Sequence, residues 1–281
     1  MITVYVNGKA TQVAKNTMVL HACTKAGYKV PTLCYHEDLP AFGNCGVCMV
    51  QINGKALRAC STPCEEGMRI RTTGNDLLKL RREAVEIILS NHPNNCPECV
   101  KNGRCELQDL AQELAIRHMS LKHMKRPYQK RDESSPSITL DPSYCVVCGR
   151  CSYVCNEIQD VHALENCERG FNTFVGPTFG RKLEESECVK CGQCSAYCPV
   201  AAIYENDDSD ALWKALDDPE LVLVAQEAPA VRVALGEEFG LKPGHNVVKK
   251  MYTALRELGF HYVFDTNFGA DLTIMEEASE F

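Results

Sequence analysis

The sequence predicts an α+β chain of several small domains in place of one large hydrophobic core. Three observations lead to this fold class. The 281 residues contain 18 cysteines, most of them in four clusters. Strand patterns of period two surround the first cluster, and alternating strand and helix patterns without cysteine follow Asp210. Clustered cysteines indicate local metal sites, each carried by a small domain.

The composition argues against several classes of protein. The formal net charge of −7 disfavours nucleic acid as the main partner, and no run approaches the ~20 apolar residues of a membrane span. The start of the chain lacks an apolar signal-peptide core behind a basic head. We therefore expect a cytoplasmic protein whose thiols are reduced and available to bind metal.

Residues 1–76 are predicted to form a β-grasp domain. Ile2 to Val6 alternates in polarity, the Asn7-Gly8 turn returns a second strand from Thr11 to about Lys15, and Met18 to Ala26 suits a short helix. A second hairpin with an Asn-Gly turn follows. Strands around one helix, with a cysteine loop between them, are typical of this fold.

Four cysteines of this domain have the spacing C-x10-C-x2-C-x11-C and are candidate ligands: Cys34, Cys45, Cys48 and Cys60. Gly43 and Gly46 lie beside the central pair and would let backbone N–H groups approach sulfur. A [2Fe-2S] cluster fits best, although the spacing departs from the plant-type run. A zinc ribbon would need two short C-x2-C pairs, and only one is present.

A small helical module is expected over residues 77–121. Asp76 is predicted to cap a helix from Leu77 to Ser90, and a second helix is predicted after Cys105. The predicted apolar stripe of the first helix consists of Leu77, Leu80, Ala84, Ile87 and Ile88.

The loop between these helices has the pattern H-x3-C-x2-C-x5-C, formed by His92, Cys96, Cys99 and Cys105. Three thiolates and one imidazole can bind zinc. Beside the other cysteine clusters, a [4Fe-4S] cluster is favoured. A neutral imidazole in place of a thiolate makes a cluster less negative, and the same exchange raises the potential of Rieske centres.

Residues 122–138 are interpreted as a linker or surface segment, with a basic docking patch as the alternative, because five Lys/Arg occur there without periodicity. Residues 139–209 then contain C-x2-C-x2-C-x3-C twice. This is the bacterial ferredoxin run, in which the fourth cysteine of each copy serves the other cluster.

The crossing assigns one predicted [4Fe-4S] cluster to Cys145, Cys148, Cys151 and Cys198, and another to Cys155, Cys188, Cys191 and Cys194. Zinc bound by the same thiolates is the alternative. Three cysteines remain and are interpreted as core or incidental thiols: Cys23, Cys64 and Cys167. The absence of nucleotide-binding and hydrolase motifs indicates that the chain conducts electrons.

Residues 210–281 are predicted to begin an α/β domain. Strands are expected at 221–225 and 262–264, with helices at about 229–239, 246–258 and from Ala270 onward. Two strands cannot bury a sheet on both faces, so we expect the rest of this domain to be missing or supplied elsewhere.

The order of these sites resembles two related families over residues 1 to about 209: the large iron-sulfur subunit of respiratory complex I and soluble NAD-linked dehydrogenases, and the large subunit of [FeFe]-hydrogenases. The stretches from Gln226 to Gly240 and from Phe264 to Glu280 resemble the start of the hydrogenase catalytic domain. On this resemblance the chain is identified as the N-terminal iron-sulfur half of an [FeFe]-hydrogenase large subunit.

The resemblance implies one [2Fe-2S] and three [4Fe-4S] clusters that relay electrons in a multisubunit, NAD-linked, electron-bifurcating enzyme. It implies a hetero-oligomer with a flavin-containing NAD(P)H dehydrogenase subunit, a small [2Fe-2S] subunit and ferredoxin as partners. The hydrogen-converting site would lie outside this chain. Glu277 and Glu280 match two proton-relay carboxylates of the family, and a solvated helix face is their alternative interpretation.

Two other functions stay open at this point. A non-catalytic electron-transfer subunit of another NAD-linked dehydrogenase would share the same iron-sulfur front. A zinc-stapled interaction protein would also use the cysteines, but it would contain no iron or sulfide.

Overall fold

The computed structural model describes residues 1–121 and 130–281, which form two compact units, Met1–Asn206 and Asp207–Phe281. Within these described ranges, no helix has the length and apolar character needed to cross a membrane. Each unit is described by itself below.

A mixed five-stranded sheet opens the first unit. Its strands are β1 (Ile2–Val6), β2 (Lys9–Val13), β3 (Met49–Ile52), β4 (Lys55–Arg58) and β5 (Arg69–Arg71). Their spatial order is β2-β1-β5-β3-β4, in which β1 and β5 are parallel and the other pairs antiparallel. Helix α1 (Val19–Ala26) packs against the sheet around Val4, Val6 and Val50, as in a β-grasp.

The first hairpin is tighter than its sequence suggested. The Asn7-Gly8 turn pairs Val6 directly with Lys9, because both turn residues adopt positive φ angles of 49° and 84°. Strand β2 therefore begins two residues before the predicted Thr11. Strand β5 was not predicted, because its three residues contain one apolar side chain between two arginines.

Two helices follow, α2 (Asn75–Ser90) and α3 (Glu106–Glu113), close to the predicted positions. The buried face of α2 differs from the prediction. Arg81 and Val85 are buried beside Leu77, whereas Leu80 and Ile87 are exposed. Arg81 is accommodated because its guanidinium donates hydrogen bonds to the backbone carbonyls of Met49 and Thr72.

The predicted role of Asp76 as a helix cap is wrong. Helix α2 begins after Gly74, and Asp76 lies in its first turn, where its carboxylate pairs with Arg71 at 2.5 Å. The ion pair joins strand β5 to the first turn of α2, and an acidic side chain in that turn also suits the helix dipole.

The cysteine repeat is carried by short elements. These are β6 (Ile138–Leu140), α4 (Arg150–Tyr153) with a π-helical turn at Val154–Ile158, β7 (Glu165–Cys167), β8 (Phe174–Gly176), α5 (Gln193–Tyr197) and β9 (Ile203–Glu205). Strand β6 pairs antiparallel with β9, and β7 pairs antiparallel with β8. Since β6 precedes the first copy and β9 follows the second, their pairing brings the two copies together.

The predicted linker is only partly described. Residues 122–129, which hold most of the basic run, lie outside the described residues. The rest is not a free linker, because Asp132 exchanges two backbone hydrogen bonds with Leu140 at 2.8 and 2.9 Å and Ser135 is buried.

The second unit is α/β, as predicted. It consists of α6 (Ser209–Leu216), β10 (Val224–Gln226), α7 (Val231–Glu238), α8 (Val248–Glu257), β11 (Tyr262–Phe264) and α9 (Thr266–Glu280). Strands β10 and β11 form a parallel pair. Helix α9 begins four residues before the predicted Ala270, where the Asp265 side chain caps it by accepting from the Asn267 N–H at 2.7 Å.

Equivalent glycines in the two repeat copies provide a matched test of this packing. Gly149 and Gly192 both have positive φ, but an added Cβ would lie 3.3 Å from the Asn44 amide nitrogen at Gly149 and would meet nothing within 4 Å at Gly192. We expect Gly192→Ala to cost about 1–2 kcal/mol from backbone strain. Gly149→Ala should cost more, because it also crowds Asn44. The midpoint of unfolding of the intact chain measures both, and equal costs would contradict the predicted packing.

Candidate metal centres

Site 1 comprises Cys34, Cys45, Cys48 and Cys60, whose thiols lie close to one another. The thiols of Cys34 and Cys45 are in hydrogen-bonding contact, and so are those of Cys48 and Cys60. All except Cys45 are 1% exposed. The structure therefore brings the four predicted ligands into one buried group.

The loop between α1 and β3 directs a backbone N–H donor at one sulfur of site 1. Gly46 has a positive φ of 69°, and the Val47 N–H that follows donates to the Cys45 sulfur at 3.5 Å. The hydrogen bond from Cys34 lowers the pKa of Cys45 to about 6, with the Val47 N–H assisting. Backbone donors directed at sulfur favour the thiolate, which is the form that binds metal.

Site 2 comprises His92, Cys96, Cys99 and Cys105, and all four line one small cavity. His92 lies just beyond α2, and Cys105 immediately precedes α3, so the two helices hold the ends of the loop. Burial raises the pKa of Cys105, with further contributions from the charges of Cys99 and Cys96.

Asn94 and Tyr144 both contact the imidazole of site 2. The Asn94 N–H donates to His92 Nδ1 at 3.4 Å, and the Tyr144 ring packs edge-on at a centroid distance of 5.4 Å. Tyr144 directly precedes Cys145, and its hydroxyl donates to Asn95 at 2.9 Å. The histidine ring is therefore oriented by its own loop and by the first repeat copy.

Site 3 comprises Cys145, Cys148, Cys151 and Cys198, which line a second cavity with otherwise largely apolar walls. Burial raises the pKa of Cys148 to about 12, and the charges of Cys198 and Cys145 add to the rise. Cys198 thus lines the same cavity as three cysteines of the first copy.

Site 4 comprises Cys155, Cys188, Cys191 and Cys194. Burial raises the pKa of Cys194 to about 12, and the charges of Cys188, Cys155 and Cys191 raise it further. Cys155 therefore lies with the second copy. Cys191 is exposed, so site 4 is more open to solvent than site 3.

The two copies share a backbone geometry as well as a spacing. Gly149 and Gly192 have φ angles of 88° and 73°, and Val147 and Lys190 have φ angles of 51° and 61°. In the first copy the Val147 N–H donates to the Cys145 sulfur at 3.4 Å. Left-handed residues between the cysteines turn the chain around each site.

A buried arginine, Arg150, connects the segments that carry sites 1, 2 and 3. It was not singled out from the sequence. The Arg150 side chain is 2% exposed, and its guanidinium donates to the Leu33 and Tyr35 carbonyls at 2.6 and 2.7 Å. It also forms a two-point ion pair with Glu106 at 2.6 and 2.8 Å. The one available signal was the repeat itself, in which Gln193 occupies the equivalent position.

The other predicted residues lie outside the four groups. Cys23 and Cys64 are buried in the β-grasp core, and Cys167 is half-buried on β7. Glu277 and Glu280 are exposed on α9. Among the described residues, those of the four sites included, no three His, Cys, Asp or Glu side chains lie close enough together to share a single metal ion.

Comparison with known families divides the chain as follows. Residues 1–75 match a 2Fe-2S iron-sulfur cluster binding domain, residues 81–120 the NADH-ubiquinone oxidoreductase-G iron-sulfur binding region, and residues 182–204 a 4Fe-4S binding domain. Residues 222–281 match the C-terminal domain of the iron only hydrogenase large subunit.

Curated relatives extend this similarity to the whole chain. The chain is 41% identical over 289 residues to the NADP-reducing hydrogenase subunit HndD of Solidesulfovibrio fructosivorans, and 34% identical over 282 residues to iron hydrogenase 1 of Clostridium pasteurianum. Both alignments cover 100% of this chain and 49% of the relative, so the chain spans about half the length of these relatives.

Two further comparisons cover part of the chain. An NADH-quinone oxidoreductase subunit of Rhizobium meliloti is 33% identical over 62% of this chain and 21% of its own length. A crystal structure of an NAD+-reducing [NiFe]-hydrogenase in the H2-reduced state aligns with a TM-score of 0.69 at 26% identity, covering 73% of this chain and 87% of that chain.

The three cysteines outside the sites should differ in reactivity. Burial raises the pKa of Cys23 to about 12 and raises that of Cys167 to a smaller extent. We expect iodoacetamide to label Cys167 in the folded chain and to spare Cys23 and Cys64. The rate at Cys167 should still increase above pH 9, because a raised pKa delays thiolate formation. Peptide mass spectrometry measures this, with unfolded chain as the control. Equal labelling of Cys23 and Cys167 would contradict the predicted burial.

Proposed function

The chain belongs to the family of iron-only hydrogenase large subunits, matching their iron-sulfur part, and on this basis we propose that it relays single electrons between redox partners and a hydrogen-converting site outside the chain. Bound iron-sulfur clusters would supply the one-electron chemistry. The residues of the chain supply ligands, burial and hydrogen bonds to sulfur.

We propose that site 1 holds a [2Fe-2S] cluster and that sites 2, 3 and 4 each hold a [4Fe-4S] cluster. The donor sets fit these groups, since each consists of four thiols or of three thiols and an imidazole. Residues 1–76, 77–121 and 139–209 are the proposed modules for site 1, for site 2, and for sites 3 and 4 together.

The observation that carries this proposal is the composition of two cavities. Cys198 lies 47 residues beyond Cys151 in the sequence, yet it lines the same cavity as the first repeat copy. All four predicted ligands of site 2 line another cavity. These groupings support the proposed ligand sets, because ligand spacing alone cannot bring residues from distant segments together.

Contacts between loops support a connected relay. Asn44, beside Cys45 of site 1, donates to the Cys148 carbonyl of site 3 at 3.2 Å. On the other side, the Glu106 N–H beside Cys105 of site 2 donates to the Pro199 carbonyl beside Cys198 at 3.0 Å. Site 3 therefore adjoins both site 1 and site 2, and the repeat links it to site 4.

The proposed partners follow from the relatives. One relative is named an NADP-reducing hydrogenase subunit, and a structural relative is an NAD+-reducing hydrogenase. We propose that the chain works in a hetero-oligomer with a flavin-containing NAD(P)H dehydrogenase subunit and a small [2Fe-2S] subunit, with ferredoxin as a further redox partner and electron bifurcation as its mode of action. A cytoplasmic location and a proton-relay role for Glu277 and Glu280 belong to the same proposal.

A non-catalytic electron-transfer subunit is the second candidate. The relation to the NADH-quinone oxidoreductase subunit of Rhizobium meliloti favours it, because that protein is not named a hydrogenase and the similarity covers 62% of this chain. The match of residues 222–281 to the hydrogenase C-terminal domain favours the first candidate.

Iron content tests the ligand sets. The anaerobically purified chain should contain about fourteen iron atoms with matching sulfide. Cys198→Ala should lose up to about four of them, because it removes one ligand of site 3. Cys64→Ala is the control, since it removes a thiol that lies outside the sites and is more deeply buried than that of Cys198. An unchanged iron content in Cys198→Ala, or an equal loss of iron in both variants, would contradict the assignment of Cys198 to site 3.

The histidine of site 2 gives a directional test. His92→Cys adds a thiolate, so the potential of that cluster should fall in an EPR-monitored redox titration. His118→Cys, at an exposed histidine outside the sites, should leave all potentials unchanged. A potential that does not fall in His92→Cys would refute the charge argument, and one bound zinc per chain would refute the cluster.

A further inference from the structure

The guanidinium of Arg150 lies between two of the proposed cluster sites. Besides the Leu33 and Tyr35 carbonyls, it donates to the carbonyl of Cys34 in site 1 at 3.4 Å. In the sequence, Arg150 stands between Cys148 and Cys151 of site 3, and it interacts electrostatically with the thiols of both Cys148 and Cys34. One buried cation therefore faces ligands of two sites.

The positive charge of Arg150 is held by hydrogen bonds and, among the described residues, is paired with a single carboxylate, that of Glu106. The guanidinium also donates a hydrogen bond at 3.5 Å to the Tyr197 carbonyl. Each of its three nitrogens therefore has a hydrogen-bond acceptor. The counter-charge comes from Glu106, whose side chain is 44% exposed, whereas that of Arg150 is 2% exposed. Water therefore screens the carboxylate more strongly than it screens the cation.

The second repeat copy has no such cation. Gln193 occupies the position equivalent to Arg150, is neutral, and is exposed to solvent. Sites 3 and 4 thus share spacing and backbone geometry but differ in the charge placed between their second and third cysteines.

We propose that Arg150 is a positioning residue shared by sites 1 and 3, whose buried positive charge raises the reduction potentials of both clusters relative to that of site 4. This inference rests on the proposed cluster assignment. Reduction adds one negative charge to a cluster, and a nearby buried cation stabilises that added charge. Arg150 therefore contributes to a potential difference between sites 3 and 4, in addition to the greater solvent exposure of site 4.

The charge of Glu106 opposes that of Arg150. Replacing Arg150 with glutamine copies the second repeat and removes the cation. Replacing Glu106 with glutamine removes the counter-charge and leaves the cation in place. If Arg150 only stabilised the packing, Arg150→Gln and Glu106→Gln would not be expected to shift the cluster potentials in opposite directions.

The test is an EPR-monitored redox titration of the full, cluster-loaded chain. Arg150→Gln should lower the potentials of sites 1 and 3 and shift site 4 less, whereas Glu106→Gln should raise those of sites 1 and 3. Arg104→Gln is the matched control, because it removes an exposed arginine beside Cys105 of site 2. Its effect on sites 1 and 3 should be much smaller, since solvent screens that charge.

Iron analysis of each sample precedes the titration. A wild-type chain without the expected iron would overturn the proposed cluster assignment itself, separately from the role of Arg150. If Arg150→Gln retains its iron, unchanged potentials at sites 1 and 3 overturn the inference. If that variant loses iron, Glu106→Gln decides: a rise at sites 1 and 3 supports the inference, and no rise overturns it.

Discussion

The two-point ion pair between Arg150 and Glu106, with the carbonyls around it, is the interaction on which the first unit depends. The Arg150 side chain contacts the loop around Cys34 of site 1 through Leu33 and Tyr35, helix α3 through Glu106, and the second repeat copy through Tyr197. A buried arginine is tolerated only when its donors are satisfied, so these segments must all be in place. The β-grasp, the helical module and the repeat therefore form one packed body.

The crossed repeat supplies the second constraint. Pairing of β6 with β9 closes the repeat, so that Cys198 reaches the first copy and Cys155 reaches the second. Symmetry of spacing does not make the two sites equal, however. Site 3 is enclosed by apolar residues and bordered by Arg150, whereas site 4 includes the exposed Cys191. Burial and local charge are the means by which a protein adjusts cluster potentials, and both differ between the copies.

Local signals predicted much of the fold and of the candidate sites. The Asn-Gly turns and the period-two strands are properties of short segments, and the structure agrees with them. The cysteine spacings are local signals as well, and the ligand sets drawn from them are proposals. The failures involve distant partners. Helix α2 buries Arg81 because the carbonyls of Met49 and Thr72 receive it, and Arg150 depends on carbonyls more than 100 residues away. Hydropathy patterns cannot reveal such partners, so the sequence did not identify Arg81 and Arg150 as core residues.

In the proposed arrangement, one packed unit holds four iron-sulfur clusters and Arg150 lies between sites 1 and 3. An anaerobic crystal structure with anomalous data at the iron edge tests it most directly. We expect four iron groups, one within each cysteine set, with His92 bound at site 2 and the Arg150 guanidinium between the iron groups of sites 1 and 3. Single metal ions in place of clusters, an iron group ligated by Cys23 or Cys64, or an Arg150 side chain directed to solvent would contradict it.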